Sequence, residues 1–209
     1  MSKRVIITIA RQYGSGGREI GERIAEILNI PLYDKQIITD AAAKGNIDEK
    51  VLAKNDEAAA NSLLYTLAVG SNVVGSAMTF GYKMPINDKL FLLQSEVIKD
   101  YASRGSCVII GRCADYVLRD EENLFRVFVY GDTPHRIERV KQRHPEVRSG
   151  QIVDIINKTD RRRSSYYHFY TGNKWGKYDN YDMALNSSTL GIEGTAHVIV
   201  ASVKRYLED

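Results

Sequence analysis

Three short segments of the chain are almost wholly apolar, and the stretches between them repeat apolar residues at helical spacing. The runs are Val5–Ala10, Cys107–Gly111 and Leu124–Tyr130. Near-continuous apolar runs of five to seven residues, rich in Val and Ile, fit strands buried on both faces of a parallel sheet. Two weaker strands are predicted at Tyr181–Asn186 and Ile30–Tyr33. Ile20, Ile24, Ile27 and Leu28 form one helical stripe, stopped by Asn29 and Pro31. Leu90, Leu93, Val97 and Tyr101 form a second, ahead of Arg104-Gly105, and Ile192, Ala196, Ile199, Val203 and Leu207 a third. Strands alternating with amphipathic helices predict βαβ crossovers and an α/β, doubly wound parallel sheet of about five strands.

Two stretches break the alternation. Residues 35–104 contain no convincing strand, which predicts a helical insert within a single domain spanning residues 1–209. Inside it, Gly70 to Gly81 is dense in small residues and reads equally as a packed helix or a loop. Residues 133–172 are long, polar and rich in arginine. Arg136, Arg139 and Arg143 are spaced so that a helix presents them on one face. Arg161, Arg162 and Arg163 cannot all share a face, so one or two of them are expected to reach a ligand.

Composition changes this picture little. With 209 residues, 44% hydrophobic and 26% charged, the chain has globular proportions, not those of a disordered, collagenous or disulfide-stapled protein. No apolar stretch approaches the roughly 20 residues of a membrane span. The basic start with its short apolar run lacks a cleavage site and reads as a strand, not a signal peptide. Cys107 and Cys113 form no C-x-x-C pair and are expected as free thiols of an intracellular, cytoplasmic protein. The four histidines have no zinc-ligand spacing.

Charge is more informative by place than by sum. The net charge is +3, but Pro134 to Arg163 holds nine basic and four acidic residues, a local +5, which leaves the remaining chain at −2. A near-neutral body with one cationic segment suits a small polyanion.

The first predicted strand runs straight into Arg11-Gln12-Tyr13-Gly14-Ser15-Gly16-Gly17-Arg18-Glu19 and then a helix. Strand, glycine-rich turn and helix N-terminus form an anion site, because backbone N–H groups and the helix dipole face outward together. G-x-G-x-x-G fails at Glu19. G-x-x-x-x-G-K-[ST] would place its first glycine at Arg11, its lysine at Gly17 and its hydroxyl at Arg18, so only Gly16 matches.

Taken with four further stretches, this segment resembles the cytidylate kinase-like branch of the P-loop nucleoside monophosphate kinases. The matching pieces are Ile7–Ile38, Val108–Leu118 (VIIGRCADYVL), Phe125–Val140, Asp160–Gly172 (DRRRSSYYHFYTG) and Tyr181–Gly194, in the family's order. The resemblance implies a P-loop NTPase-like, three-layer α/β/α core, a monophosphate-binding insert at 35–104 and a mobile lid at 133–172. It implies transfer of the γ-phosphoryl group of ATP, with Mg²⁺, to CMP or a related monophosphate. Gly14, Ser15, Gly16, Gly17, Arg18 and Glu19 fall at the phosphate loop. Asp34 and Arg112 match acceptor-binding residues, and Asp160 and Arg163 resemble the pair that reads the acceptor base and phosphate.

The family's loop lysine and hydroxyl are both missing here, and the aspartate expected before Gly111 is Ile110. Arg18 is then the candidate cation and Glu19 the candidate Mg²⁺ ligand, with Arg18, Arg139 and Arg163 as the catalytic set. Guanidinium groups suit phosphoryl transfer, being permanently charged and able to grip oxygens bidentately. Two alternatives stay open: a non-catalytic nucleotide sensor, which the missing lysine favours, and a nucleic-acid-binding protein using the Arg/Tyr-rich segment 161–178. The sequence favours packing for the aromatics of that segment, and it leaves the oligomeric state open.

Overall fold

A computed structural model describes residues 3–47 and 84–208. Five strands form one all-parallel sheet: β1 (Ile6–Arg11), β2 (Leu32–Tyr33), β3 (Cys107–Ile110), β4 (Leu124–Tyr130) and β5 (Met183–Asn186), in the order β2-β3-β1-β4-β5. The expected α/β doubly wound sheet is therefore present. β1 lies at the centre, with Ile6 registered against both Cys107 and Leu124.

The apolar runs are continuous because both faces of the sheet are covered. Ile7, Ile9, Val108, Ile110, Val127 and Val129 pack with Ile20 and Ile24 of helix α1 (Gly17–Leu28) and Ile199 and Val203 of helix α7 (Ser187–Glu208). Ile6, Cys107 and Ile109 point to the other face, against Ile37 of α2 (Gln36–Gly45), Val97 and Ile98 of α3 (Ile86–Ser103) and Ala114 of the short α4 (Ala114–Val117). Fully burying each such aliphatic side chain contributes about 1.5–3 kcal/mol.

Helix ends follow local chemistry. Asn29 closes α1 in the left-handed region at φ 50°, and the Ile30 N–H returns to the Ala25 carbonyl at 3.0 Å, ahead of Pro31. Helix α7 leaves helical geometry at Gly191, so its first turn and its long apolar stripe are separate helices. The weaker strands are shorter than expected: β2 keeps only Leu32 and Tyr33, and β5 begins at Met183. Both lie at the sheet edges, with one neighbour each to fix their length.

Within the expected insert, the described residues 35–47 and 84–104 are helical, as α2 and α3; the small-residue stretch Gly70 to Gly81 lies outside the described residues. Residues 133–172 become two packed helices, α5 (Thr133–Arg143) and α6 (Ser149–Thr171), whose seam is Val140, Ile152 and Ile156. Cys107 and Cys113 are buried and unbridged. Among the described residues, no helix is long and apolar enough to cross a membrane.

Candidate functional site

The glycine loop leaves the central strand and is held at nearly every residue. The Gln12 N–H donates to the Val129 carbonyl at 2.9 Å, and its side-chain oxygen accepts from the Gly131 N–H at 3.2 Å. Tyr13 donates its N–H to Asp160 Oδ1 at 2.7 Å, and its carbonyl accepts from Arg136 Nε at 2.8 Å. The Ser15 hydroxyl bonds back to the Gln12 carbonyl at 2.9 Å, while the Ser15 carbonyl lies 2.6 Å from the Ser187 hydroxyl. Gly14 and Gly16 both have φ of 80°, which disfavours any residue with a β-carbon. Gly16 is the N-cap of α1, so the helix's first-turn N–H groups, unsatisfied within the helix, begin at the loop.

A cleft of about 660 Å³ opens over this turn, well within the range of small-ligand sites. Gly14, Gly16, Gly17, Arg18 and Glu19 form one wall; Asp34, Lys35 and Arg112 form another; Arg143, His144, Thr159, Arg162 and Arg163 close it from α5 and α6. Arg163 Nη1 donates to the Arg11 carbonyl at 3.0 Å, and its guanidinium lies 5.7 Å from the centre of the Tyr13 ring. Arg18 Nε is 3.1 Å from Glu22 and 3.4 Å from Asp34. Arg143 pairs with Glu19 Oε1, while the other oxygen, Oε2, is buried without a hydrogen-bond partner.

The spacing of Arg136, Arg139 and Arg143 has a direct structural counterpart. Helix α5 turns that face to the loop, and the three side chains meet Tyr13, Gly16 and Glu19 in succession. Arg139 lies across Gly16 beside Ile192 and is not among the cleft-lining residues. Of the arginine triplet, Arg162 and Arg163 line the cleft and Arg161 does not.

Arg112 follows Gly111 at the end of β3, is buried, and adopts φ 59°. It lines both the cleft and a side cavity of about 30 Å³ walled by Asp115, Tyr166, Tyr167 and Trp175. Asp34 lies at the cleft beside Arg18. Asp160, grouped by sequence with Arg163, is turned instead toward the loop, where it meets Tyr13 and Arg136. Lys35, His144 and Thr159 were not singled out by sequence. Lys35 directly follows Asp34 and Thr159 directly precedes Asp160, so adjacency was the available signal; His144 had none.

Of the aromatics in segment 161–178, Tyr166 and Tyr167 are buried, Tyr170 stacks on Phe91 at 4.0 Å between ring centres, and Trp175 meets Phe128 edge-on at 5.3 Å. These rings are part of the fold's packing. Beneath the cleft, burial holds the Asp115 carboxyl above its ordinary range although the Tyr167 hydroxyl donates to it at 2.7 Å. Burial, with Asp115 second, likewise pushes the Tyr167 phenol up.

Among the described residues no group of three or more acidic, histidine or cysteine side chains could hold a metal alone. Magnesium needs less than that when phosphates complete its shell, since one or two carboxylates and waters suffice. The buried, unpartnered Glu19 Oε2 at the loop fits this smaller demand.

A family model described as "Cytidylate kinase-like family" matches residues 6–189. No curated protein matches the sequence. Among solved structures, an uncharacterized protein from Eubacterium ventriosum ATCC 27560 is 25% identical, with a TM-score of 0.71 over 96% of this chain and 99% of that one. A shikimate kinase from Bacteroides thetaiotaomicron is 13% identical with a TM-score of 0.55, covering 99% and 100% of the two chains. A gluconokinase from Sinorhizobium meliloti 1021 is 15% identical with a TM-score of 0.56, covering 100% and 96%. The last two likenesses are of fold alone.

Proposed function

Since the chain belongs to the cytidylate kinase-like family, we propose that it is an ATP-dependent phosphotransferase acting on CMP or a related nucleoside monophosphate. The observation that carries this reading is the cleft itself. Gly14, Gly16 and Gly17 and the N-terminus of α1 line one side of it, and guanidinium groups from three other elements converge on the same space.

In this reading Gly14 to Glu19 hold the donor phosphates through the loop backbone. Arg112 and Arg163 bind the acceptor phosphate, with Asp34 at the entrance to α2 orienting the acceptor. An oxygen of the acceptor monophosphate forms a bond to the γ-phosphorus as the bond from that phosphorus to the β–γ bridging oxygen breaks, and ADP leaves with the electron pair. Arg18 and Arg163 neutralise charge on the transferring group, and Arg139 acts beside Gly16. Removing one such stabiliser typically costs about 10²–10³ in rate. Mg²⁺ held by Glu19 with the donor phosphates would neutralise their oxygens further. Chromatographic detection of a nucleoside diphosphate formed from ATP and CMP, dCMP, UMP or AMP tests the reading; its absence with every acceptor, with ATP binding intact by calorimetry, contradicts it.

That second outcome is the signature of a nucleotide sensor. One observation favours this alternative: the position of the usual loop lysine is Gly17, and the nearby Arg18 already has its Nε beside Glu22 and Asp34.

A further inference from the structure

The loop is oriented by a closed ring of contacts centred on one residue. The Tyr13 N–H donates to Asp160 Oδ1 at 2.7 Å, Asp160 Oδ2 pairs with Arg136 Nη2, and Arg136 Nε donates at 2.8 Å to the Tyr13 carbonyl. Both peptide groups flanking the Tyr13 α-carbon are thus fixed by one ion pair. Its members come from different helices, α5 and α6, and Arg136 is 7% exposed. The Tyr13 ring continues the attachment. It packs on Val140, Ile152 and Ile156 between those helices, and its hydroxyl is 3.2 Å from His144 Nε2.

A segment with glycine at 14, 16 and 17 loses much conformational freedom when it is ordered. Contacts that order it beforehand spare a ligand that cost. Asp160 poses no obstacle to an incoming anion, because Arg136 neutralises it and its oxygens face the loop backbone.

We propose that Arg136 and Asp160 are positioning residues for the phosphate donor: they hold the Tyr13 peptides so that the loop amides face the cleft. This rests on reading the cleft as an ATP site. A protein whose binding-competent loop is only partly populated shows donor affinity weakened by that fraction. Loss of the pair therefore acts on ATP and not on the acceptor, the opposite of what an acceptor-reading Asp160 would give.

The test compares wild type with Asp160→Ala, Asp160→Asn, Arg136→Ala and Arg136→Lys. ATP dissociation constants come from calorimetry, acceptor KM from ADP release with CMP, folding from thermal melts, and loop order from amide exchange at residues 11–17. Asp160→Ala is expected to weaken ATP binding about tenfold or more and to speed exchange at Tyr13, with acceptor KM unchanged. Asp160→Asn, which keeps an acceptor for the Tyr13 N–H, falls between. If Asp160→Ala does not fold, Asp160→Asn and Arg136→Lys carry the comparison. A wild type that binds ATP and variants that bind it equally well overturn this inference alone, as does a rise confined to acceptor KM. A wild type that binds no ATP overturns the functional reading and this inference together.

Discussion

Arg139 lies so closely across Gly16 that a β-carbon on that glycine would stand 2.6 Å from its Nη1. Gly14 faces a harder obstacle, the backbone carbonyl of Arg136, at 2.8 Å from the same virtual atom. The two glycines share a φ of 80°, so alanine at either pays the left-handed penalty, about 1–3 kcal/mol. They differ in what must move.

Gly16→Ala meets only side-chain ends, Ile192 Cδ1 and Arg139 Nη1, so it is expected to displace both and cut ADP production more than it lowers stability. Gly14→Ala is expected to push against helix α5 itself and cost more in melting temperature. Thermal melts and ADP release on both variants check this; equal losses of stability would contradict it.

Much of this architecture was legible in sequence. The continuous apolar runs identified β1, β3 and β4 because all three are sandwiched between helix layers, with Ile7 and Ile9 facing one core and Ile6 the other. Helical spacing put Arg136, Arg139 and Arg143 on one face, and local composition marked the glycine loop. What escaped is non-local. Nothing near Asp160 signals that it meets Tyr13, 147 positions away, since that pairing exists only once α6 folds over the loop. The edge strands β2 and β5 were weak signals because half-buried positions need no unbroken apolar run. The lid implied by resemblance is tied to the loop through Tyr13, Arg136 and Asp160, a coupling that periodicity does not reveal.

Asp115 gives a pH-dependent test of stability. Burial raises its folded-state pKa, so the folded protein holds the proton more tightly than the unfolded chain. Its contribution to stability is then greatest in acid and falls as pH rises from the unfolded carboxylate value, about 3.9, toward the raised folded value. Asp115→Asn removes the charge and keeps a hydrogen-bonding partner for Tyr167. It is expected to melt a few degrees above wild type at pH 8, at roughly 2–4 °C per kcal/mol, with the gap closing toward pH 4. Melts across that range check it; an equal or lower melting temperature at pH 8 would contradict it.

Glu19 separates folding from metal use. Its pair with Arg143 is more than a third exposed on both side chains, so breaking it costs at most about 1 kcal/mol. Glu19→Gln should accordingly fold like wild type while raising, several-fold, the Mg²⁺ concentration needed for half-maximal ADP release. A Mg²⁺ titration identical to wild type would remove Glu19 from the metal site.

The most direct measurement is ADP release from ATP and Mg²⁺ across CMP, dCMP, UMP, AMP and non-nucleotide acceptors, for wild type and Arg163→Ala. The account predicts ADP formation that depends on a monophosphate, highest with CMP or a close relative, and depressed about 10²–10³-fold in the variant. No ADP with any monophosphate, or release that Arg163→Ala leaves unchanged, would contradict phosphoryl transfer at this cleft.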